Sequence, residues 1–88
     1  MLHPIYHNNF EKDIKLVKKQ GKQLSKLRLV MQLLMEQKPL VRNYRDHALV
    51  GSYKGRRECH IEPDWLLIYK IDKENIIFER TGSHSNLF

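Results

Sequence analysis

The chain has 88 residues, of which 41% are apolar and 30% carry a charge. This length predicts one domain, residues 1–88, that is just large enough to bury an independent core. No apolar run is long enough for a transmembrane helix, and the first ten residues lack the apolar region of a signal peptide. The single cysteine, Cys59, excludes an internal disulfide and fits a reducing compartment. We therefore expect a cytoplasmic protein without a membrane partner.

Basic residues are concentrated in the first half of the chain. The formal net charge is +6, and residues 1–45 hold ten Lys and Arg against three Asp and Glu, whereas residues 46–88 hold six against seven. Such an excess is typical of proteins that bind an anionic partner, most often nucleic acid. The alternative is a lysine-rich helix face that is merely solvated.

The first half predicts a short strand and two helices. Residues 2–7 favour an edge strand, since they contain a proline. Asn8 followed by Glu11 resembles a capping box that begins a helix, and Gly21 interrupts that helix. A second helix follows and ends before Pro39. The apolar residues at helical spacing are Phe10, Ile14 and Val17 in the first helix and Leu24, Leu27, Val30, Met31, Leu34 and Met35 in the second.

Beyond Pro39 the pattern changes to that of strands. Residues 47–51 predict a brief strand, and residues 56–61, 64–71 and 75–81 are rich in branched and aromatic side chains with turn signals between them. The expected order is β-α-α-β-β-β-β, an α+β fold in which the N-terminal strand and a helical hairpin pack on one face of an antiparallel sheet. The other sheet face is left free to carry function.

Ionisable side chains crowd the strand ends, above all in the segment RRECHIEPDWLLIYK, residues 56–70. His47, His60 and His84 lie at strand ends or in the tail, each beside other polar groups. An imidazole gives and takes protons near neutral pH, and Asp64 could act as a base or orient an imidazole. A lone histidine is more often structural or merely exposed, so the convergence of these four side chains is a hypothesis.

Arginine and aromatic side chains complete the set of groups needed to cut RNA without a metal. Arg57 and Arg80 could neutralise a phosphate, and Trp65 and Phe88 could stack on a base. In such a reaction a base deprotonates the ribose 2′-OH, a cation stabilises the phosphorane, and an acid protonates the leaving 5′-oxygen. Trp65 also begins an apolar strand, so closing the core is an equal alternative for it.

The sequence predicts no metal and no cofactor. HxxxH, HExxH and CxxC spacings are absent, and the adjacent Cys59 and His60 would point to opposite sheet faces. Cys59 is better interpreted as a buried, inert thiol than as a nucleophile.

The segments YRDHALVGSYKGRRECHIEPDWLLIYK and FERTGSHSNLF resemble the YafQ family of bacterial toxins, within the RelE/ParE superfamily. The resemblance runs from about Phe10 to Phe88. Its motifs are an Asp-His pair before a small residue and Leu, an arginine strand leading into H-x-x-P-D, and a terminal T-G-S-H. Arg56 departs from the family, because relatives often have an aromatic residue there.

This resemblance implies a RelE/ParE-like fold and a ribosome-dependent endoribonuclease that cuts translated mRNA in the A site of the small subunit. It also implies a cognate antitoxin of the DinJ or RelB type, with operator DNA bound only through the toxin–antitoxin complex. Acid–base catalysis would use no metal, with His84 favoured as the acid and Asp64 with His60 on the base side. The family's functional positions fall on His47, His60, Asp64, Trp65, His84 and Phe88, with Arg57 and Arg80 in the matching arginine positions.

Two other classes of protein have this fold or this excess of positive charge. A ParE-like topoisomerase inhibitor would cut nothing and would not need three histidines. A catalytically silent nucleic-acid-binding module would use only the basic helices. For the RNA-binding surface itself, the candidates are the four lysines of the first helix, Lys12, Lys15, Lys18 and Lys19.

Overall fold

The computed structural model describes all 88 residues. It contains five strands, three α-helices and two single-turn 3-10 helices. The strands are β1 (His3–Tyr6), β2 (His47–Ala48), β3 (Arg57–Glu62), β4 (Trp65–Asp72) and β5 (Asn75–Gly82). The helices are α1 (Asn8–Lys19), α2 (Leu24–Met35) and α3 (His84–Leu87), and the 3-10 turns are Arg42–Tyr44 and Gly51–Tyr53. None of these helices has both the length and the apolar character needed to cross a membrane.

All five strands join one sheet in the order β1-β5-β4-β3-β2. The pairs β2–β3, β3–β4 and β4–β5 are antiparallel, which confirms the predicted meander and the α+β class. β1 is the exception: it lies parallel to β5, with His3 opposite Asn75 and Tyr6 opposite Phe78. The predicted strand at residues 47–51 is shorter than expected, because a 3-10 turn begins at Gly51.

Helix α1 begins one residue earlier than the capping pattern indicated. His7, not Asn8, is the N-cap: its Nδ1 accepts a hydrogen bond from the backbone N–H of Asn9 at 3.1 Å. An imidazole nitrogen can satisfy a free helix N–H as a hydroxyl or carboxylate oxygen does. Gly21 separates α1 from α2 with φ of +79°, a left-handed conformation that glycine adopts without strain.

Apolar side chains are buried on both faces of the central strand. Alternation along β4 sends Trp65, Leu67 and Tyr69 into the main core beneath the helical hairpin, while Leu66 and Ile68 face the other way. There they form a small second cluster with Leu87 of α3. The face opposite the hairpin is therefore partly covered by α3, which fixes the position of the residues that this helix carries. The main core consists of Leu2, Phe10, Val17, Leu27, Val30, Met31, Leu34, Cys59, Ile61, Trp65, Leu67, Tyr69, Ile76 and Phe78.

Candidate active site

Three histidines form a row on the sheet face opposite the helical hairpin. His47 comes from β2, His60 from β3 and His84 from the start of α3. The ring centroids of His47 and His60 are 6.3 Å apart, and those of His60 and His84 are 5.9 Å apart. Backbone pairing sets His60 opposite Leu66, which belongs to the second cluster. The structure thus brings together the three imidazoles that the sequence placed at strand ends, and we call them the imidazole row.

Asp64 is bonded to His84. Its Oδ1 accepts a hydrogen bond from the backbone N–H of His84 at 3.0 Å and lies 2.7 Å from Nδ1 of the same residue. The backbone and side-chain bonds from His84 lower the pKa of Asp64. Since an ionised carboxylate only accepts, Nδ1 carries the proton, and Nε2 is left to exchange a proton with a substrate. Of the two roles expected for Asp64, base or orienter of an imidazole, this contact fits the second, and the ring that it contacts is His84 and not His60.

Glu58 is a site residue that the sequence interpretation missed. Its side chain is 8% exposed, and its Oε1 lies 3.3 Å from Nε2 of His60 and 3.7 Å from Nε2 of His47. The other nitrogen of each ring faces a carbonyl: His60 Nδ1 is 3.2 Å from Pro63 O, and His47 Nδ1 is 2.6 Å from Arg45 O. Because a carbonyl only accepts, both Nδ1 atoms donate and both Nε2 atoms face the carboxylate. Glu58 therefore places one carboxylate oxygen within ion-pair distance of both rings, and each contact becomes an ion pair when its ring is protonated.

The sequence itself is enough to place Glu58 in the site. Residues two apart in a strand point to the same sheet face, so Glu58 had to share the face of His60. The same rule places Arg57, three residues before His60, on the opposite face.

Arg57 does not lie in the site. Its Nε donates to Asp46 Oδ1 at 3.3 Å, on the side of the sheet where its backbone partner Tyr69 enters the main core. The Tyr69 hydroxyl donates to the same Asp46 oxygen at 2.6 Å. The expectation that Arg57 neutralises a substrate phosphate beside the histidines is therefore wrong, because strand alternation turns it towards the helices.

Arg80 lies near the C-terminal end of β5 and is bonded to a residue of helix α1. Its Nε donates to Asp13 Oδ2 at 2.7 Å and its Nη2 to Asp13 Oδ1 at 3.1 Å, a two-point pairing. The backbone N–H of Thr81 donates to the same carboxylate at 3.1 Å. The hydrogen bond to Asp13 raises the pKa of Arg80. Arg80 therefore keeps its charge in a fixed position, beside a small cavity that it lines with Tyr53 and Arg56.

The two candidate stacking residues have different surroundings. Trp65 is fully buried, and its Nε1 donates to the Thr81 hydroxyl at 2.9 Å, so its ring closes the core and presents no face to a base. The stacking interpretation of Trp65 is thus corrected in favour of its core alternative. Phe88 is 58% exposed and packs against Tyr53 in a T-shaped arrangement, with 5.3 Å between ring centroids. Much of the Phe88 ring is therefore accessible to a base.

The four candidate lysines of α1 are all exposed and form no ion pair. They lie on α1 away from the buried Phe10 and Val17. They therefore present uncompensated positive charge on the helix that also carries Asp13, the partner of Arg80.

Cys59 is a buried thiol, as predicted. It is fully enclosed in the main core, and burial raises its pKa to about 12. A thiol in that state is protonated at neutral pH and is a poor nucleophile. No cluster of three or more His, Cys, Asp or Glu side chains in the structure has the arrangement of a metal site.

Comparison with known families gives a match over almost the whole chain. A family model described as a bacterial toxin of type II toxin–antitoxin systems, YafQ, matches residues 2–88. The mRNA interferase toxin YafQ of Escherichia coli (strain K12) is 48% identical over 84 residues, which are 94% of this chain and 91% of that protein.

Solved structures give the same result. The toxin chain in the crystal structure of the E. coli DinJ–YafQ complex superposes with a TM-score of 0.92 at 45% identity, covering 100% of this chain and 99% of that chain. A copper-bound mutant toxin from Helicobacter pylori superposes with a TM-score of 0.96 at 40% identity, covering 100% of both chains. These superpositions confirm the fold from β1 to α3.

Proposed function

The chain belongs to the YafQ family of toxins of type II toxin–antitoxin systems, and on that premise we propose that it is an mRNA interferase whose imidazole row cuts ribosome-bound mRNA. Family membership supports the activity, since the E. coli relative is named an mRNA interferase. The observation that carries the mechanism is Asp64 bonded to His84 at one end of a row of three imidazoles. Neither the site nor the relatives favour a topoisomerase inhibitor, which has no use for such a row.

In this mechanism His84 and the Glu58–His60 pair move protons at the scissile phosphodiester. His84 acts as the acid in its imidazolium form: Asp64 accepts the hydrogen bond from Nδ1 and stabilises the positive charge, and Nε2 donates its proton to the leaving 5′-oxygen, which leaves a neutral ring. On the other side, His60 keeps its own proton on Nδ1 and its Nε2 accepts the proton of the 2′-OH, while the Glu58 carboxylate, 3.3 Å from Nε2, stabilises the imidazolium that forms. Each such proton-transfer group contributes roughly 10²–10⁴-fold to the rate. Only RNA carries the 2′-OH nucleophile, so this mechanism would cut RNA and not DNA.

Charged and aromatic groups around the row position the RNA. Arg80 is fixed by Asp13 and supplies positive charge for the phosphate, and Phe88 offers a face on which a base stacks. His47 contributes through Glu58, which it approaches at 3.7 Å. The lysines of α1 bind ribosomal RNA, so that the toxin acts in the A site of translating ribosomes in the cytoplasm.

The partner that restrains this activity is an antitoxin. The E. coli relative has been crystallised in complex with DinJ, and a DinJ- or RelB-like protein is the partner proposed for this chain. Contact with operator DNA would occur only through that complex.

The test is in vitro translation of a defined mRNA with and without the protein, followed by primer extension to map the mRNA ends. We expect new ends within codons that occupy the A site, and no specific ends when the same mRNA is incubated without ribosomes. Rapid and equally specific cutting of naked mRNA would contradict ribosome dependence. Intact mRNA together with blocked supercoiling by a topoisomerase would favour the inhibitor instead.

A second arm of that experiment tests the absence of a metal. The H. pylori relative has been crystallised with copper, so whether cleavage needs a transition metal has to be tested for this chain as well. Since ribosomes need Mg²⁺, the chelator must be selective for transition metals. We expect cleavage to continue in the presence of the chelator. Cleavage that stops and returns on addition of zinc or copper would overturn the acid–base mechanism.

A further inference from the structure

A cavity of about 600 Å³ adjoins the imidazole row at His60. Residues 41–45 form one wall and residues 60–63 the other, so His60 is shared between the cavity and the row. Pockets that bind small ligands have volumes of roughly 300–1,000 Å³, a range into which a nucleotide fits. The cavity meets the row at its central ring, His60, and Phe88 is not part of the lining.

The charge in this cavity is positive and uncompensated. Arg42 and Arg45 both line it, both are exposed, and neither forms an ion pair. The only acidic residue of the lining, Glu62, is paired with Lys26 at 2.8 Å. Two free guanidinium groups of fixed charge are suited to a phosphate, because their planar N–H groups match its oxygens.

The segment that carries the two arginines is held in place. Residues 42–44 form a 3-10 turn, and the N–H of Arg45 donates to Arg42 O at 3.0 Å. Arg45 itself has φ of 48° and ψ of 43°, a left-handed conformation that is uncommon outside glycine. Its carbonyl accepts the hydrogen bond from His47 Nδ1 at 2.6 Å, and Tyr44 packs against the main core. The cavity wall is thus tied directly to the imidazole row.

We propose that this cavity, which we call the Arg42–Arg45 pocket, is a subsite for the substrate RNA nucleotide adjacent to the cleaved bond. The two guanidinium groups would hold that nucleotide's phosphate, and the ring of Tyr44, which is part of the lining, would contact its sugar or base. This inference rests on the proposed function, because it assumes that RNA lies across the imidazole row. It adds a binding site at the central ring of the row, separate from Phe88, so that the RNA would be held at a second point.

The test is steady-state cleavage of mRNA on programmed ribosomes by Arg42→Gln, Arg45→Gln and the double variant. Arg28→Gln is the matched control, because Arg28 is an exposed arginine of α2 without an ion pair and outside the pocket. Removing both guanidinium groups from the phosphate should raise KM roughly 5- to 100-fold in the double variant, with kcat changed little. The control should stay within about two-fold of wild type, and circular dichroism melting checks that all variants fold.

Chemical modification of the RNA identifies which phosphate the two arginines bind. Substituting an uncharged methylphosphonate for each phosphate flanking the cleaved bond should weaken wild-type cleavage at one position, and at that position the double variant should show no further decrease. KM unchanged in the double variant would overturn the proposal. So would additive decreases at every methylphosphonate position, because the arginines would then contact ribosomal RNA or nothing. If the wild-type protein itself cuts no mRNA, the proposed function fails instead, and the two failures are distinguished.

Discussion

Asp64 and His84 are joined through one carboxylate oxygen, which lies 3.0 Å from the backbone N and 2.7 Å from Nδ1 of the histidine. Asp64 lies in the β3–β4 turn, and His84 begins α3, twenty residues later. The carboxylate therefore fixes both the start of the helix and the tautomer of the ring. A histidine held in this way presents one defined nitrogen to its substrate, which is the arrangement that general acid–base catalysis requires.

The ionisation of Asp64 should depend on His84. The two hydrogen bonds from His84 lower the pKa of the carboxyl, with the backbone bond as the larger cause. Because the folded pKa lies below the unfolded value, the interaction is fully present above the unfolded pKa and is lost as the pH falls through the folded one. In His84→Ala the backbone bond remains, so the pKa should rise only part of the way to its ordinary value. A ¹³C NMR titration of the Asp64 carboxyl carbon measures this. An identical titration curve in the variant would show that the ring does not stabilise the carboxylate.

Glu58 should be required for the chemical step. Glu58→Gln keeps the shape of the side chain but removes the charge that faces His47 and His60. We expect kcat on programmed ribosomes to fall roughly 10²–10⁴-fold, the range for one proton-transfer group, with KM little changed. Glu74→Gln, at an exposed position in the β4–β5 turn, is the control for loss of a carboxylate. Full activity of Glu58→Gln would restrict Glu58 to a structural role.

Substitution of Trp65 should affect stability before it affects activity. The ring is fully buried, so Trp65→Ala should cost about 3–5 kcal/mol of unfolding free energy. Trp65→Phe keeps most of the apolar volume and removes only the hydrogen bond to Thr81, at a cost of about 0.5–1.5 kcal/mol. We expect Trp65→Phe to cut mRNA at close to the wild-type rate below its melting temperature. A folded Trp65→Phe protein that no longer binds RNA would restore the stacking role.

The lysines of α1 should contribute to ribosome binding through charge alone. Reversing them in pairs to Glu should weaken association with ribosomes, and the slope of log K against log salt should fall by about one for each phosphate that is no longer neutralised. The control is Lys54→Glu/Lys73→Glu, a pair of exposed lysines outside α1 that form no ion pair. Equal binding by the α1 variants and the control over a salt series would mean that these lysines are only solvated. The α1 lysines are Lys12, Lys15, Lys18 and Lys19.

The parts of the fold that were predicted correctly are those set by local pattern. Helix α2 has a regular apolar face that lies between Gly21 and Pro39, and the continuous apolar run of β4 predicts a strand. The parallel pairing of β1 with β5 is not encoded locally, because it joins opposite ends of the chain. Helix α3 has four residues, too few for a period to emerge, although a serine N-cap precedes it.

The site shows the same division between local and long-range information. The three histidines and Asp64 could be selected by residue type, but the partner of Asp64 depends on where α3 docks on the second cluster. The errors at Arg57 and Glu58 have a local cause, since applying strand alternation from His60 assigns both residues to their faces. The sequence therefore identifies the reactive side chains, whereas strand pairing and the docking of α3 determine which of them come into contact.

The most direct test of the central claim is single-turnover mRNA cleavage by His84→Ala on programmed ribosomes. His84 is exposed and lies outside both apolar clusters, so its truncation should leave the fold intact, unlike Leu67→Ala, which should cost about 2–5 kcal/mol. The matched control is His3→Ala, at an exposed histidine in β1. We predict that His84→Ala melts like wild type and cuts roughly 10²–10⁴-fold more slowly, while His3→Ala cuts normally. A folded His84→Ala protein that cuts at close to the wild-type rate would contradict the account and remove His84 from the mechanism.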